Sequence, residues 1–426
     1  MAEKVVSPGV FTNEIDQSFL PAALGEIGAA IIGPTVKGPA LIPTVVESFS
    51  DYEAKFGTAF RSGSTGGAYF QYLTSHTAEN YLKNGPRATV VRILDDSYSN
   101  AVGYVPTGSG NYYTGSITSD VVNFVTTDSS FKIWTHGDGA IMNTTTGSGG
   151  YEGGTTTITT NNALISGSQH NLRWEISSLN ENKGTFTLLI RRGDDTIKRK
   201  QILETWNNLT LDPNSNNYIG KVIGDTRNIL GGTLANPYIQ PSGSYPNKSK
   251  YVYVEVLKTT SDYLDVNGNV RVAAASASLP GPNSGSFTGA SNGYAGFDAL
   301  GNLEGTATTT AHFNFYEDID TGTQGYIPET IAATGYNAYV QALNLLKNQD
   351  EYDINMILMP GILSDVHSTI VTKAIDVCET RGDCFVVVDP CVFDSALTTP
   401  KTRAEAYDSS YAAMYWPWVQ ITDNQT

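Results

Sequence analysis

The chain carries little charge. Only 16% of its 426 residues are Asp, Glu, Lys or Arg, against roughly a quarter in ordinary soluble domains. Basic residues are the minority, 26 Lys and Arg against 42 Asp and Glu, which leaves a formal net charge of −16. Binding nucleic acid through its phosphates needs a basic face, so the composition excludes general nucleic-acid binding. An acidic surface is likewise repelled by anionic lipid. Cysteine is scarce: Cys378, Cys384 and Cys391 crowd one short region. An odd trio makes no disulfide framework and fits a reducing compartment, and its spacings match no usual zinc site. The five histidines, His76, His136, His170, His312 and His367, are scattered and place no pair for a metal. No apolar run approaches membrane-spanning length, and Met1-Ala2-Glu3-Lys4 lacks a signal-peptide core. The expectation is cytoplasmic synthesis without cofactor, metal or membrane insertion.

Polarity comes instead from Thr, Ser, Asn and Gly, and the chain holds 42 Gly and 24 Tyr. That mixture suits β-rich, loop-rich domains with large contact surfaces. The stretch from Val5 to Asp16 is rich in β-formers, and Ser7-Pro8-Gly9 breaks it so that it does not form one interior strand. A Pro21-Ala22-Ala23-Leu24-Gly25 spacer separates it from any core. A lone strand needs a sheet edge. That edge lies either in its own domain or in a neighbouring molecule. Val5, Val6, Val10, Phe11, Thr12, Glu14 and Ile15 are the candidate intersubunit strand residues.

Four regions follow from the pattern: an N-terminal arm (1–20), an α/β core built from 21–97 plus 326–426, an outer β-rich insert (98–170) and a middle β-rich insert (171–325). The fold class is therefore α+β multidomain, a split α/β core interrupted by inserted β-rich domains, with an extended arm. In the core, Ile27–Ile32 forms a buried strand stopping at Gly33-Pro34, and Leu41–Val46 an edge strand because of Pro43. Ser50-Asp51-Tyr52-Glu53 forms a capping box, with Gly57 ending the helix. Phe70, Leu73, Thr77 and Tyr81 recur at helical spacing up to Gly85-Pro86, and Ala88–Leu94 is a strand. Between Tyr98 and His170 short apolar bursts such as Val121–Val125 predict small hairpins. Thr185–Arg192 and Thr196–Lys200 flank Gly193-Asp194-Asp195 as a hairpin, and Tyr263–Val266 and Val270–Val272 flank an Asn267-Gly268 turn. Ser278–Gly301 is a glycine-rich loop. Tyr336, Tyr339, Val340, Leu343 and Leu346 mark a helix, followed by a strand over Ile354–Met359. Ser364 caps a helix with Val366, Ile370, Ala374, Ile375 and Cys378 inward, ended by Gly382, and Phe385–Val388 is the next strand. These make a right-handed βαβ unit with parallel strands.

No motif supports catalysis. Gly33 and Gly38 are spaced like a phosphate loop, yet Pro39 occupies the lysine position. The turn Met359-Pro360-Gly361-Ile362 lacks dinucleotide-loop spacing. Asp389, at a strand end, is read as an Asp-Pro turn, and a hydrolase acting through it is the enzymatic alternative. Asp265, Asn267 and Asn269 resemble a calcium loop with its glycine misplaced and no glutamate. The basic cluster Arg191, Arg192, Lys198, Arg199 and Lys200 is read as a solvated face.

Several runs together resemble the contractile tail sheath proteins of myovirus-type bacteriophages. They are Val6–Glu14, Ala30-Ile31-Ile32-Gly33-Pro34 through Gly38-Pro39, Phe49–Gly57, Glu204–Pro213 with Asn217-Tyr218-Ile219-Gly220, and Tyr411–Trp418. The outer insert contributes no matching run. The resemblance implies a structural protein without an active site, whose subunits stack as six-fold rings in a helical cylinder. Its implied partners are further copies of itself, the tail tube, and baseplate and tail terminator proteins, in a virion tail assembled in the host cytoplasm. The core would face the tube, the inserts would face outward, and the arm would add a strand to a neighbour's sheet. A related bacterial injection-system sheath shares this logic, and a glycan-binding phage surface protein is the rival. Family members continue past the point where Trp416-Pro417-Trp418 is followed by Gln420–Thr426, so the core is expected to be incomplete at its C-terminus.

Overall fold

The computed structural model describes residues 28–61, 69–94, 98–107, 129–139, 170–195, 199–271, 278–287, 289–290, 328 and 331–420. The expected arm, the Val121–Val125 burst and most of the outer insert lie outside the described residues. In chain order the strands are β1 (Gly28–Pro34), β2 (Thr44–Val46), β3 (Phe60–Arg61), β4 (Tyr69–Phe70), β5 (Ala88–Ile93), β6 (Asn100–Pro106), β7 (Ser129–Asp138), β8 (Leu172–Asn180) and β9 (Thr185–Arg192). They continue with β10 (Ile202–Thr210), β11 (Arg227–Gly232), β12 (Pro237–Ser242), β13 (Val252–Val256), β14 (Ser284–Ser286), β15 (Ile354–Leu363), β16 (Phe385–Asp389) and β17 (Ala412–Met414). The helices are α1 (Phe49–Phe56), α2 (Leu73–Leu82), α3 (Ile219–Val222), α4 (Thr334–Leu346), α5 (Ser368–Arg381) and α6 (Thr398–Glu405).

The fold is mixed α/β with several separate sheets. The largest has six strands in the order β17-β16-β15-β1-β5-β2. It is parallel throughout except for β2, which runs antiparallel to β5. β1 pairs on one side with β5 and on the other with β15, so one sheet joins strands from both ends of the sequence. β1 and β5 are buried along their whole length because helices cover both faces there. Ile31, Val90 and Ala88 pack under α1 and α2 with Tyr52, Phe56 and Ala78. Ala30, Ile32 and Val91 face the opposite side, where Tyr339, Leu343, Ile370, Ala374 and Cys378 of α4 and α5 lie. Strand β15, helix α5 and strand β16 form the parallel βαβ unit.

Two further sheets carry the inserts, β13-β7-β6 and β10-β9-β8-β14. The first draws on residues either side of 170, since β13 pairs with β7. The hairpin expected over Thr196–Lys200 is instead closed by β10, where Ile202 pairs with Arg191. Asp195 turns inward and accepts the Gln201 N–H at 3.1 Å, which lengthens the connection. β14 lies inside the expected glycine-rich loop, because Gly285 sits against Trp174, where a Cβ would come within 2.6 Å of the indole. At Asn267-Gly268 the turn forms, with Asp265 Oδ1 accepting the N–H groups of Asn267 and Asn269. Its flanks make only the bridge Leu264–Val270.

Two helix starts differ from expectation. Helix α1 is capped by Ser48, whose hydroxyl accepts the Asp51 N–H at 3.2 Å, rather than by Ser50. Phe49 stacks on Tyr52 at 5.8 Å, which draws it into the first turn. Gly57 ends the helix at φ 71, and a Cβ there would also meet the His170 ring at 2.9 Å. Helix α5 begins at Ser368, not after Ser364. β15 runs on to Leu363, and Ser364 donates its N–H to the Asp389 carbonyl at 2.9 Å, which holds residues 364–367 as a turn. Gly382 ends α5 as its position predicts.

Candidate functional site

The half of the six-stranded sheet made by β15, β16 and β17 is covered differently on its two faces. α5 packs against β15 and β16 on one side. Across the other, one lateral row runs Val90, Ile31, Leu358, Val387, Ala413, fixed by strand register. Val90 and Ile31 are wholly buried, whereas Leu358, Val387 and Ala413 are only half-buried. Met356 and Phe385 form the next row and are half-buried as well. Leu358 packs against the cluster under α1 and α2, and α2 meets β15, so the less covered part of this face is that of β16 and β17 among the described residues. Beside it β17 ends the sheet, with no strand beyond it among the described residues. Tyr415, Trp416 and Val419, which follow β17 directly, are exposed. Single exposed apolar residues are ordinary, but a contiguous group marks an interaction surface. The opposite edge, β2, is better protected, since Lys55 Nζ donates to the Val45 carbonyl at 2.9 Å.

The expected strand residues Val5, Val6, Val10, Phe11, Thr12, Glu14 and Ile15 lie outside the described residues. The other residues weighed for chemistry are dispersed. His136, His170 and His367 sit in separate settings, and His312 lies outside the described residues. His367 Nδ1 accepts the Leu363 N–H at 3.0 Å. Burial lowers the His170 imidazole to about 3 and the His136 imidazole to about 4. Cys378 and Cys384 are buried thiols with sulfurs 3.6 Å apart, and Cys391 is buried too. Among the described residues no group of three His, Cys, Asp or Glu is placed to hold a metal. Asp389 accepts at its main chain from Ser364, and its residue is exposed.

Arg191 of the basic cluster is a correction to the sequence reading. Arg191 is 2% exposed and grips the fully buried Asp195 carboxylate through Nε at 2.6 Å and Nη2 at 2.8 Å. Arg173 reaches the same carboxylate at 3.2 Å, and Glu175 takes Arg191 at 2.7 Å and Lys200 at 2.5 Å. Arg192, Arg199 and Lys200 lie toward solvent, as a solvated face requires, and among the described members of the cluster only Arg191 departs from that reading. Period-two alternation put Arg173 and Arg191 opposite each other on the face of β8 and β9 away from the core residues Trp174 and Ile190, and Asp195 and Glu175 bury Arg191 in an ion-pair network there while the other described members stay solvated. Lys198 lies outside the described residues.

Sequence reasoning missed the joint between core and inserts. Arg92 of β5 is completely buried, and its guanidinium donates to the carbonyls of Thr35, Gly38 and Asp138 at 3.2, 2.5 and 2.7 Å. Asp138 ends β7, and its carboxylate accepts the Ala40 N–H at 2.8 Å. Next to this joint a cleft of about 620 Å³ opens, bounded by the loop after β1, α1, β7, β11 and the segment before β13. Lys37, Lys55, Arg227, Lys248 and Lys250 line it, with Asp138 as the acidic lining residue. A single run of basic residues would have signalled it in the sequence, but these five come from four separate segments, only Lys248 and Lys250 being neighbours.

No family model matches the chain, and no curated protein matches it. Among solved structures it is similar to the sheath tail protein of Listeria innocua, at 10% identity and a TM-score of 0.37, over 86% of this chain and 48% of that one. It is similar as well to a sheath tail protein of Desulfitobacterium hafniense, at 11% identity and a TM-score of 0.35, over 95% of this chain and 55% of that one. The chain spans about half the length of these solved structures.

Proposed function

We propose that this chain is a structural subunit of a contractile tail sheath that polymerises with copies of itself through strand exchange. The observation that carries the reading is the β16-β17 end of the sheet, half-buried and apolar on one face and unpaired at its edge among the described residues. A sheet left in that state calls for a further strand or covering segment. The β-forming run around Val10-Phe11-Thr12 is a suitable donor, and main-chain pairing would supply affinity while alternate side chains set register. The ordered runs from Val6 to Trp418 that resemble phage sheath proteins support the same assignment. In this reading the subunits stack as six-fold rings around a tail tube, with the core inward and the inserts outward. Head-to-tail contacts that do not close produce the helical cylinder. Contraction would re-pack rigid subunits between two arrangements while the exchanged strands keep them linked.

Deleting residues 1–17 tests the assignment. The truncated chain is expected to fold with unchanged circular dichroism and to form no ordered tubes by negative-stain microscopy. Ordinary tubes from the deletion would remove strand exchange from the mechanism.

A further inference from the structure

The cleft beside the Arg92 joint opposes the charge of the molecule as a whole. Its lining holds five cationic side chains and one carboxylate, in a chain of net charge −16. Arg227, Lys248 and Lys250 are exposed at its mouth. Lys55 and Lys250 share one carboxylate, Asp51, at 2.7 and 3.4 Å, so these pairs leave a positive excess. Lys37 lies deeper. It is 6% exposed, and its Nζ stands 5.6 Å from the centroid of the Tyr251 ring, another lining residue. No carboxylate among the described residues pairs with it, and burial lowers its ammonium to about 8. His136 on the cleft wall is held neutral by burial and adds no charge near pH 7. A low-dielectric recess lined by one sign of charge concentrates its field on an incoming counter-charge.

The matching surface lies at the other end of the sheet. The cleft follows the carboxyl ends of β1 and β5, where Lys37 and Gly38 lie beyond Pro34. Before β15, at the amino end, the exposed turn Asn348–Asp353 carries Asp350, Glu351 and Asp353. Its basic neighbours are Lys347, Arg87, which reaches Asp353 at 3.8 Å, and Arg381, which donates to the Tyr352 carbonyl at 2.8 Å and pairs with Asp383; Asp350 has no ion pair among the described residues. Ile354 is in register with Gly28, so β1 separates turn from cleft by about 20 Å at the usual rise per residue. The β11–β12 hairpin spans the same interval, from Arg227 in the cleft to Leu234, whose carbonyl accepts from Asn344 of α4. One molecule therefore cannot close this pair upon itself.

We infer that the acidic turn Asn348–Asp353 of a second copy of this chain docks in the basic cleft. The contact is heterologous, because each copy offers the turn at one end and the cleft at the other, and repetition gives an open filament rather than a closed dimer. This rests on the proposed self-assembly and adds a charge-bearing contact, independent of the N-terminal strand, that orients successive subunits.

Charge reversal on the full-length chain tests it by sedimentation velocity. Arg227→Glu with Lys248→Glu reverses the mouth of the cleft, and Asp350→Lys with Glu351→Lys reverses the turn; all four residues are exposed. Each pair of substitutions is expected to weaken self-association about tenfold or more, and their combination to restore it to within about threefold of the parent chain. Raising ionic strength from about 0.15 M to about 1 M should weaken the parent in the same sense. Melting curves unchanged from the parent separate a lost contact from lost folding. Parent-like association of both single-sided variants overturns the docking while self-assembly stands, and so does a combination that stays impaired. A parent chain that remains monomeric at every concentration overturns the assembly reading together with this contact.

Discussion

Replacing Arg92 with methionine probes the joint between the core sheet and the β-rich inserts. The guanidinium is fully buried and donates to three carbonyls at 3.2 Å or less, Thr35 and Gly38 in the loop after β1 and Asp138 at the end of β7, and to a fourth, Val36, at 3.4 Å. A hydrogen bond from a charged donor contributes about 1.5–3 kcal/mol net, so three amount to roughly 5–9 kcal/mol. Burying the guanidinium costs several kcal/mol that methionine does not incur, and methionine recovers some of the packing along the side-chain stem. The balance is a loss of about 3 kcal/mol. Arg92→Lys should cost nearly as much, because one ammonium cannot span carbonyls that the planar fork reaches from separate nitrogens. Guanidinium chloride unfolding of the purified chain measures the loss, and limited proteolysis between the core and β7 reports whether the joint has opened. A loss below about 1 kcal/mol for Arg92→Met, or an unchanged proteolytic pattern, would refute the role given to Arg92.

The His170 imidazole protonates near 6.5 in the unfolded chain but stays neutral to about 3 in the fold, because burial and then the Lys37 charge oppose its protonation. The unfolded state therefore binds more protons between those values, and stability falls as pH drops from 6.5 toward 3. At pH 5 the His170 share of that loss is about 2 kcal/mol, and denaturation midpoints of His170→Gln between pH 7 and 5 should lack it. An equal decline in parent and variant would show that the ring is protonated in the fold. Asp195→Asn removes one of the two carboxylates on the buried Arg191 guanidinium, leaving Glu175 at 2.7 Å, and should destabilise by about 1–3 kcal/mol. A denaturation midpoint within error of the parent would show that water or another group replaces the carboxylate.

Element positions in the core were legible because short-range physics dictated them. The buried run at Ala88–Ile93 has no periodicity to expose, as a strand covered on both faces requires, and Gly382 stops a helix where the local backbone decides. Local pattern failed where a distant contact chose between nearby alternatives. Ser48 displaced Ser50 as the cap because Phe49 packs on Tyr52, and the pairing partner of β9 moved to Ile202–Thr210 because Asp195 folds inward.

From the order of residues alone came the low charge and an α/β chain with β-rich segments. Its strand runs, breakers and composition act over a few neighbours and are visible in one dimension. Only the folded chain decided which charges are buried and which face one another. Arg92, the Arg191–Asp195 network and the five cations of the cleft are assembled by strand register and by the meeting of sheets far apart in sequence. Electrostatics depends on distance and dielectric rather than on sequence separation, and tertiary packing sets both.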